Sequence, residues 1–192
     1  MRTAGGGRAH WSGRAARVLD IPVLRPASES DLELIAFWIT SRRDCEFWAG
    51  PALRFPLDRS TLARDIGFSP ETSFSLDEAG LVGFGQLTDK GCGRGHLSKL
   101  IVAPHRRRSG RGARLVTALV ELAAQRGFSV VGLNVQQDNP AAQALYRKLG
   151  FELVARPASV GPAPGADYRV RDLCKVSTAP PAGRFDEPGG TR

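Results

Sequence analysis

Residues 102–115 read VAPHRRRSGRGARL, and this stretch decides how the chain is to be read. The apolar run ending at Val102 is a strand, and Leu115, Leu119 and Leu122 mark one face of a helix that begins near Gly112. Between them lies Arg107-x-x-Gly110-x-Gly112. A strand running through a glycine loop into a helix presents main-chain N–H groups and the positive end of a helix dipole to the same point. Glycine lets that backbone come close to an anion, and the arginines add charge-assisted contacts. The pattern fits a phosphate-bearing ligand. It is not a Walker loop, because no Gly-Lys-Ser/Thr follows, and the Rossmann spacing G-x-G-x-x-G is absent.

Working outward, Gly127 ends the helix, 129–135 form a strand, and Asn139-Pro140 opens a second helix that Gly150 stops. On the N-terminal side, strands are expected over 72–77, 81–88 and 95–102, with a hairpin at Glu78-Ala79-Gly80. A first strand lies at 21–24. Ser28 or Ser30 caps a helix carrying Leu32, Ile35, Phe37, Trp38 and Ile39. A loop over 48–56 precedes a short helix at 58–66. Strands at 151–156 and 168–176 complete the order, with a turn at 161–165. The expectation is an α/β layered domain of order βααβββαβαββ: a mixed, mostly antiparallel sheet with helices on both faces. The domain spans 20–176. The segments 1–19 and 177–192, rich in Gly, Ala, Arg or Pro, are expected to be disordered tails.

Composition bounds the partners. The chain has 192 residues, 42% hydrophobic, enough for one domain with a core. No apolar stretch approaches the ~20 residues of a membrane span, and no signal peptide is evident. Cys45, Cys92 and Cys174 are too scattered for a disulfide framework or zinc site, which suits a reducing cytoplasm. The net charge of +8 raises nucleic acid as a partner. Much of it sits in the glycine loop, however, and no aromatic-basic alternation suggests base stacking.

The second motif is residues 139–151, NPAAQALYRKLGF. V-x-P-x-x-R-x-x-G-x-G, followed about thirty residues later by N-x-x-A-x-x-L-Y-x-x-x-G-F, closely resembles the GNAT superfamily of N-acetyltransferases. The resemblance implies an acetyl-coenzyme A-dependent transfer to a primary amine, by direct attack in a ternary complex and without a metal. The main chain of Leu100, Ile101 and Val102 would pair with the pantetheine arm. Arg107, Arg108, Ser109, Gly110, Arg111, Gly112 and Ala113 would hold the pyrophosphate. Asn139 would lie against the pantetheine. Tyr146 would act as general acid toward the leaving thiolate.

The base is open. Relatives that modify ribosomal-protein N-termini often carry a glutamate at the position of Asn134, and an amide cannot act as a base. His96, Asp89 or a water chain are the substitutes, with Ser98 orienting a water. Trp48, Phe47, Phe55 and Asn134 would line the acceptor pocket, and Asp44, Glu46 and Asp58 would attract a cationic amine. The acceptor is a small molecule or a peptide; nucleic acid and membrane are not expected as partners. The oligomeric state is open, a homodimer among the options. A coenzyme A-binding regulatory module without catalysis is the competing reading. Retention of Tyr146, Gly110 and Gly112 speaks against it.

Overall fold

A computed structural model describes residues 22–174. The tails expected at 1–19 and 177–192, and the ends of the domain at 20–176, lie outside the described residues. The elements are β1 (Val23–Pro26), α1 (Glu29–Trp38), α2 (Arg42–Ala49), α3 (Leu62–Asp65), β2 (Ser73–Asp77), β3 (Leu81–Asp89), β4 (Arg94–Val102), α4 (Arg111–Gln125), β5 (Val130–Gln136), α5 (Pro140–Lys148), β6 (Glu152–Leu153) and β7 (Ala166–Asp172). Single 3₁₀ turns follow β4 and β6.

The seven strands form one sheet of order β1-β2-β3-β4-β5-β7-β6. Every neighbouring pair is antiparallel except β4 and β5, which run parallel. The expected mixed α/β layered sheet is therefore present, with one helix more than the expected order.

Two apolar clusters cover the two faces. Leu115, Val116, Leu119, Val120 and Ala123 of α4 pack with Leu87, Leu97, Val131 and Leu133. Leu32 and Ile35 of α1, Cys45 and Trp48 of α2 and Leu62 of α3 pack with Phe84 and Ile101 on the other face. Alternation along the strands produces this division: Leu97 points to α4, while His96 and Ser98 point to the α1–α3 side. Burying each Leu of this kind contributes about 1.5–3 kcal/mol.

Several boundaries differ from the sequence reading. Residues 42–49 are a helix, so Trp48 stands on α2 rather than opening a loop. Ser41 caps it by accepting from the Asp44 N–H. Its eight residues bury only Cys45 and Trp48, so the apolar period is too brief to see in sequence. The helix expected at 58–66 is reduced to the single turn Leu62–Asp65, because Asp58 turns back on Ser60. The strand expected at 151–156 keeps only two exposed residues, on the sheet edge beside β7. The last strand begins at Ala166 and ends at Asp172. Among the described residues, no helix is long and apolar enough to cross a membrane.

Candidate active site

The parallel pair β4–β5 is joined over four rungs, from Arg94↔Val130 to Leu97↔Leu133. Both strands continue, β4 to Val102 and β5 to Gln136, without further pairing to each other. They diverge, and the main chain of β4 is left without a strand on that side. On its other side, register with β3 shifts between Phe84↔Ile101 and Gln86↔Ser98. The extra residue is absorbed at Lys99, which takes a left-handed φ of 53°.

Alternation along β4 decides which groups face the gap. The Ala103 N–H donates to the Val82 carbonyl at 3.0 Å, and Ile101 lies opposite Phe84. Ile101 therefore turns its main-chain groups to β3, while Leu100 and Val102 turn theirs to the gap. This corrects the expectation that all three offer main-chain groups there. The Val102 carbonyl accepts from Arg107 Nε at 3.3 Å, and the Val102 N–H remains directed outward.

The glycine loop follows directly. Arg108 and Gly110 both take left-handed φ, 59° and 82°. Gly110 is the N-cap of α4 and offers no side-chain cap, and the first turn holds no acid. The first main-chain bond of the helix is Arg114 N–H to the Gly110 carbonyl. The N–H groups of Arg111, Gly112 and Ala113 thus have no partner within the helix. A Cβ at Gly112 would meet Leu145 at 3.4 Å, which is ordinary contact. Arg107, Arg108, Ser109 and Gly110 are exposed. The Ser109 hydroxyl donates to the Arg106 carbonyl.

Arg111 is not free. Its Nη2 and Nε lie 2.7 and 2.9 Å from a carboxylate oxygen of buried Glu78, with Arg106 at 4.0 Å. The hairpin turn between β2 and β3 thereby anchors the loop. The sequence reading missed Glu78, treating it only as part of a turn; two arginines thirty residues away give no local signal of it.

Helix α5 opens as expected: Asn139 caps it by accepting from Ala142 N–H at 3.1 Å, with Pro140 in the first turn. Its Oδ1 is engaged in the cap. Tyr146 is buried among the α4-side core, edge-on to Phe151 with ring centroids 6.0 Å apart. Burial pushes its phenol up to about 12, so it stays protonated at any working pH.

On the opposite face, a cavity of about 390 Å³ opens at the divergence. His96, Ser98 and Lys99 of β4, Asn134 and Gln136 of β5, and Phe47 and Trp48 of α2 line it. The Pro162–Pro164 turn forms its rim. The Trp48 indole donates to the Lys99 carbonyl at 2.7 Å. Arg156 holds the rim in place by donating to the carbonyls of Ala163 and Ala166, at 3.1 and 2.6 Å.

His96, a candidate base, is buried on β4. Its ring stacks on Tyr168, centroids 6.1 Å apart at 12°. Tyr168 reaches across Gly132, where an added Cβ would lie 2.0 Å from the phenol oxygen. Burial, then Lys90, Lys99 and Arg156, lower the imidazole to about 4. His96 Nδ1, Asn134 Oδ1 and Tyr168 Oη on this face, and Arg156 Nε at the rim, are buried without a hydrogen-bond partner. Such orphans are costly. Tyr168 was not singled out from sequence, and only its place opposite Asn134 across β5–β7 brings it here.

The other candidates lie elsewhere. Phe55 packs against the α1–α3 core and not on the cavity. Asp44 caps α2 with Ser41, Asp58 caps Ser60, and Asp89 accepts from Gly91 N–H. Of the acids expected to attract an amine, only Glu46 borders the cavity. A larger cavity of about 1020 Å³ opens at the paired end of β5, beside Ser129 and Val130, where the main chain is already satisfied.

The comparisons agree with this geometry. The chain is 31% identical over 97 residues to the [ribosomal protein bS18]-alanine N-acetyltransferase of Escherichia coli (strain K12), covering 50% of this chain and 65% of that protein. It is 36% identical over 109 residues to the mycothiol acetyltransferase of Clavibacter michiganensis, 57% of this chain and 30% of that one. The matched stretches span only 65% and 30% of these two curated relatives' lengths. The solved structure of a chimera of the spermidine N-acetyltransferase SpeG from Vibrio cholerae and hSSAT superposes with a TM-score of 0.64 at 17% identity, covering 82% of this chain and 99% of that one. The PaiA N-acetyltransferase of Thermoplasma acidophilum, solved with coenzyme A, gives 0.60 at 17% identity, covering 79% and 99%. At those identities the two structures speak for the fold alone. The profile of the acetyltransferase (GNAT) family matches residues 35–151, from α1 through the diverging strands to the end of α5, and the chain belongs to that family.

Proposed function

We propose that the protein is an acetyl-CoA-dependent N-acetyltransferase acting on an amine held in the cavity between α2 and the diverging strands. The observation that carries this reading is the end of β4–β5 pairing at Leu97↔Leu133, directly upstream of a loop with bare N–H groups. An extended amide-bearing arm fits the open side of β4, where Leu100 and Val102 present main-chain groups as a strand would meet them. A diphosphate fits the N-terminus of α4, where Arg111, Gly112 and Ala113 offer N–H groups and no acid opposes it. Arg107 and Arg108 are free at their tips to add charge, whereas Arg111 acts through Glu78 to position the loop. Asn139 shapes the wall of the gap through its cap. When bound, acetyl-CoA supplies an acyl group activated as a thioester.

The chain's own groups then set the protons. Tyr146, kept neutral by burial, is the donor on the α4 side. On the cavity side, an amine must be neutral to be a nucleophile. The burial and the Lys90, Lys99 and Arg156 charges that lower His96 also disfavour an ammonium placed beside it. His96 Nδ1, buried and without a protein partner, accepts a hydrogen bond from the amine instead of acting as a base tuned near neutrality. Asn134 Oδ1 is a second acceptor. The exposed thiols of Cys92 and Cys174 fit a reducing compartment such as the cytoplasm.

The test is release of free coenzyme A thiol across a panel of amino acids, polyamines and peptide N-termini. Turnover of at least one class above the hydrolytic background is expected. Acetyl-CoA binding with no turnover of any amine would favour the regulatory-module reading.

A further inference from the structure

The acceptor cavity is chemically lopsided. The charges felt at His96, at its inner end, are Lys90, Lys99 and Arg156, all cations. Glu46, the only carboxylate among the lining residues, is not one of them and is shared with a neighbouring cavity that also holds Arg42, Arg43 and Asp138. Arg156 donates through Nη1 and Nη2 to the carbonyls of Ala163 and Ala166, and its buried Nε has no partner. Lys99 is different. It sits at the bulge where β4 leaves β5, lines both the 390 Å³ cavity and the adjoining one, where Asp58 is engaged with Ser60 and Asp65 with Thr61 and Arg64, and makes no side-chain hydrogen bond or ion pair among the described residues. A half-buried ammonium with no anion beside it is an unfavourable arrangement unless a ligand completes it.

We propose that the acceptor is an amine that also carries an anionic group, a carboxylate or a phosphate, and that the Lys99 ammonium receives that group. The proposal rests on the acetyltransferase reading for what the cavity holds. Desolvation, then the neighbouring Lys90, lowers the Lys99 ammonium, in keeping with a cation that lacks a counter-ion. The same arrangement gives the site a division of labour. The cationic field keeps the reacting amine neutral, which alone would weaken binding of any amine cation. An anion on the acceptor offsets this by attraction to Lys99. A polyamine, cationic throughout, gains nothing from such a wall.

The acceptor product keeps the anion and has lost the amine charge, so products are clean probes. N-acetylglycine, N-acetylaminoethyl phosphate, the uncharged N-acetylglycinamide and the cationic N-acetylspermidine are titrated calorimetrically into protein saturated with coenzyme A. The anionic products should bind at least about tenfold more tightly than the amide. Whichever of carboxylate and phosphate binds more tightly identifies the group. In Lys99→Gln the ratio of anionic to uncharged affinity should collapse, and Lys99→Arg should restore it. Equal affinity for acid and amide, tighter binding of the acetylated polyamine, or no binding by either anionic product would overturn the proposal. A separate titration with acetyl-CoA reads the acetyltransferase assignment by itself. If that fails while the anions still bind in a Lys99-dependent way, the anion site stands and the assignment falls.

Discussion

The indole of Trp48 donates to the main-chain carbonyl of Lys99 at 2.7 Å, tying α2 to the left-handed bulge of β4. The two residues are 51 positions apart, and their bond sets the back wall of the cavity where the strands part. Trp48→Phe keeps an aromatic ring against Phe84 but leaves that carbonyl without its donor. A loss of about 1–3 kcal/mol in unfolding free energy is expected, for an unsatisfied buried acceptor and a lost part of the ring. Urea denaturation measures it, and a variant as stable as the wild type would remove this bond from the account.

Gly132 is required by Tyr168. An added Cβ would lie 2.0 Å from the phenol oxygen and 2.5 Å from the ring carbon bearing it, deep between β5 and its neighbours. Gly132→Ala must push the ring off His96 and should cost at least about 2 kcal/mol, in the upper part of the range for overpacking. Retention of the wild-type unfolding midpoint would show that Tyr168 sits elsewhere.

His96 makes stability depend on pH in a defined window. Its folded value, about 4, lies below the ordinary 6.5. The unfolded chain therefore binds this proton more tightly. Stability from this group is complete above pH 6.5 and is lost as pH falls toward 4, by an amount on the order of 3 kcal/mol. Burial raises Asp31, but Arg25, Ser28 and Ser75 hold it down to about 2, so its contribution is complete above its ordinary 3.8 and is lost only as pH falls toward 2, below the window of His96. Chemical denaturation at pH 7 and pH 4.5 should show a steep decline in the wild type and a shallower one in His96→Gln. Identical declines would mean that His96 is solvated.

The sheet and the glycine loop are legible in sequence because both rest on short-range signals. Leu115, Leu119 and Leu122 set the period of α4, and Gly110 and Gly112 precede it. Helix α2 was not legible, because its two buried residues, Cys45 and Trp48, give too few points to define a period. The sequence assigns Arg107, Arg108 and Arg111 of this loop to a phosphate. Glu78, distant in sequence, withdraws Arg111 from that set and draws on Arg106. Ile101 was grouped with Leu100 and Val102, and only the register with β3 separates them. The polar face of His96, Asn134 and Tyr168 depends on β7 returning antiparallel to β5, which no local pattern reveals.

Tyr146 is buried beside Phe151 and held neutral. Tyr146→Phe preserves the ring contact, so the fold and acetyl-CoA affinity should change little. Turnover should fall by about 10²-fold or more, as for loss of a general acid. Steady-state kinetics with any accepted amine gives the answer. An unchanged kcat would take Tyr146 out of the proton path.

The central claim is that the main-chain N–H groups at the start of α4 receive the diphosphate of acetyl-CoA. Gly110 has open space around it, so Gly110→Glu places a negative charge at that helix mouth without a clash, though its left-handed φ of 82° adds backbone strain for any side chain. Calorimetric titration of wild type and variant with acetyl-CoA is the direct measurement, with circular dichroism to verify folding. Micromolar or tighter binding by the wild type, with at least about a hundredfold loss in a folded Gly110→Glu, is the predicted result. Equal affinity in the two proteins would contradict it.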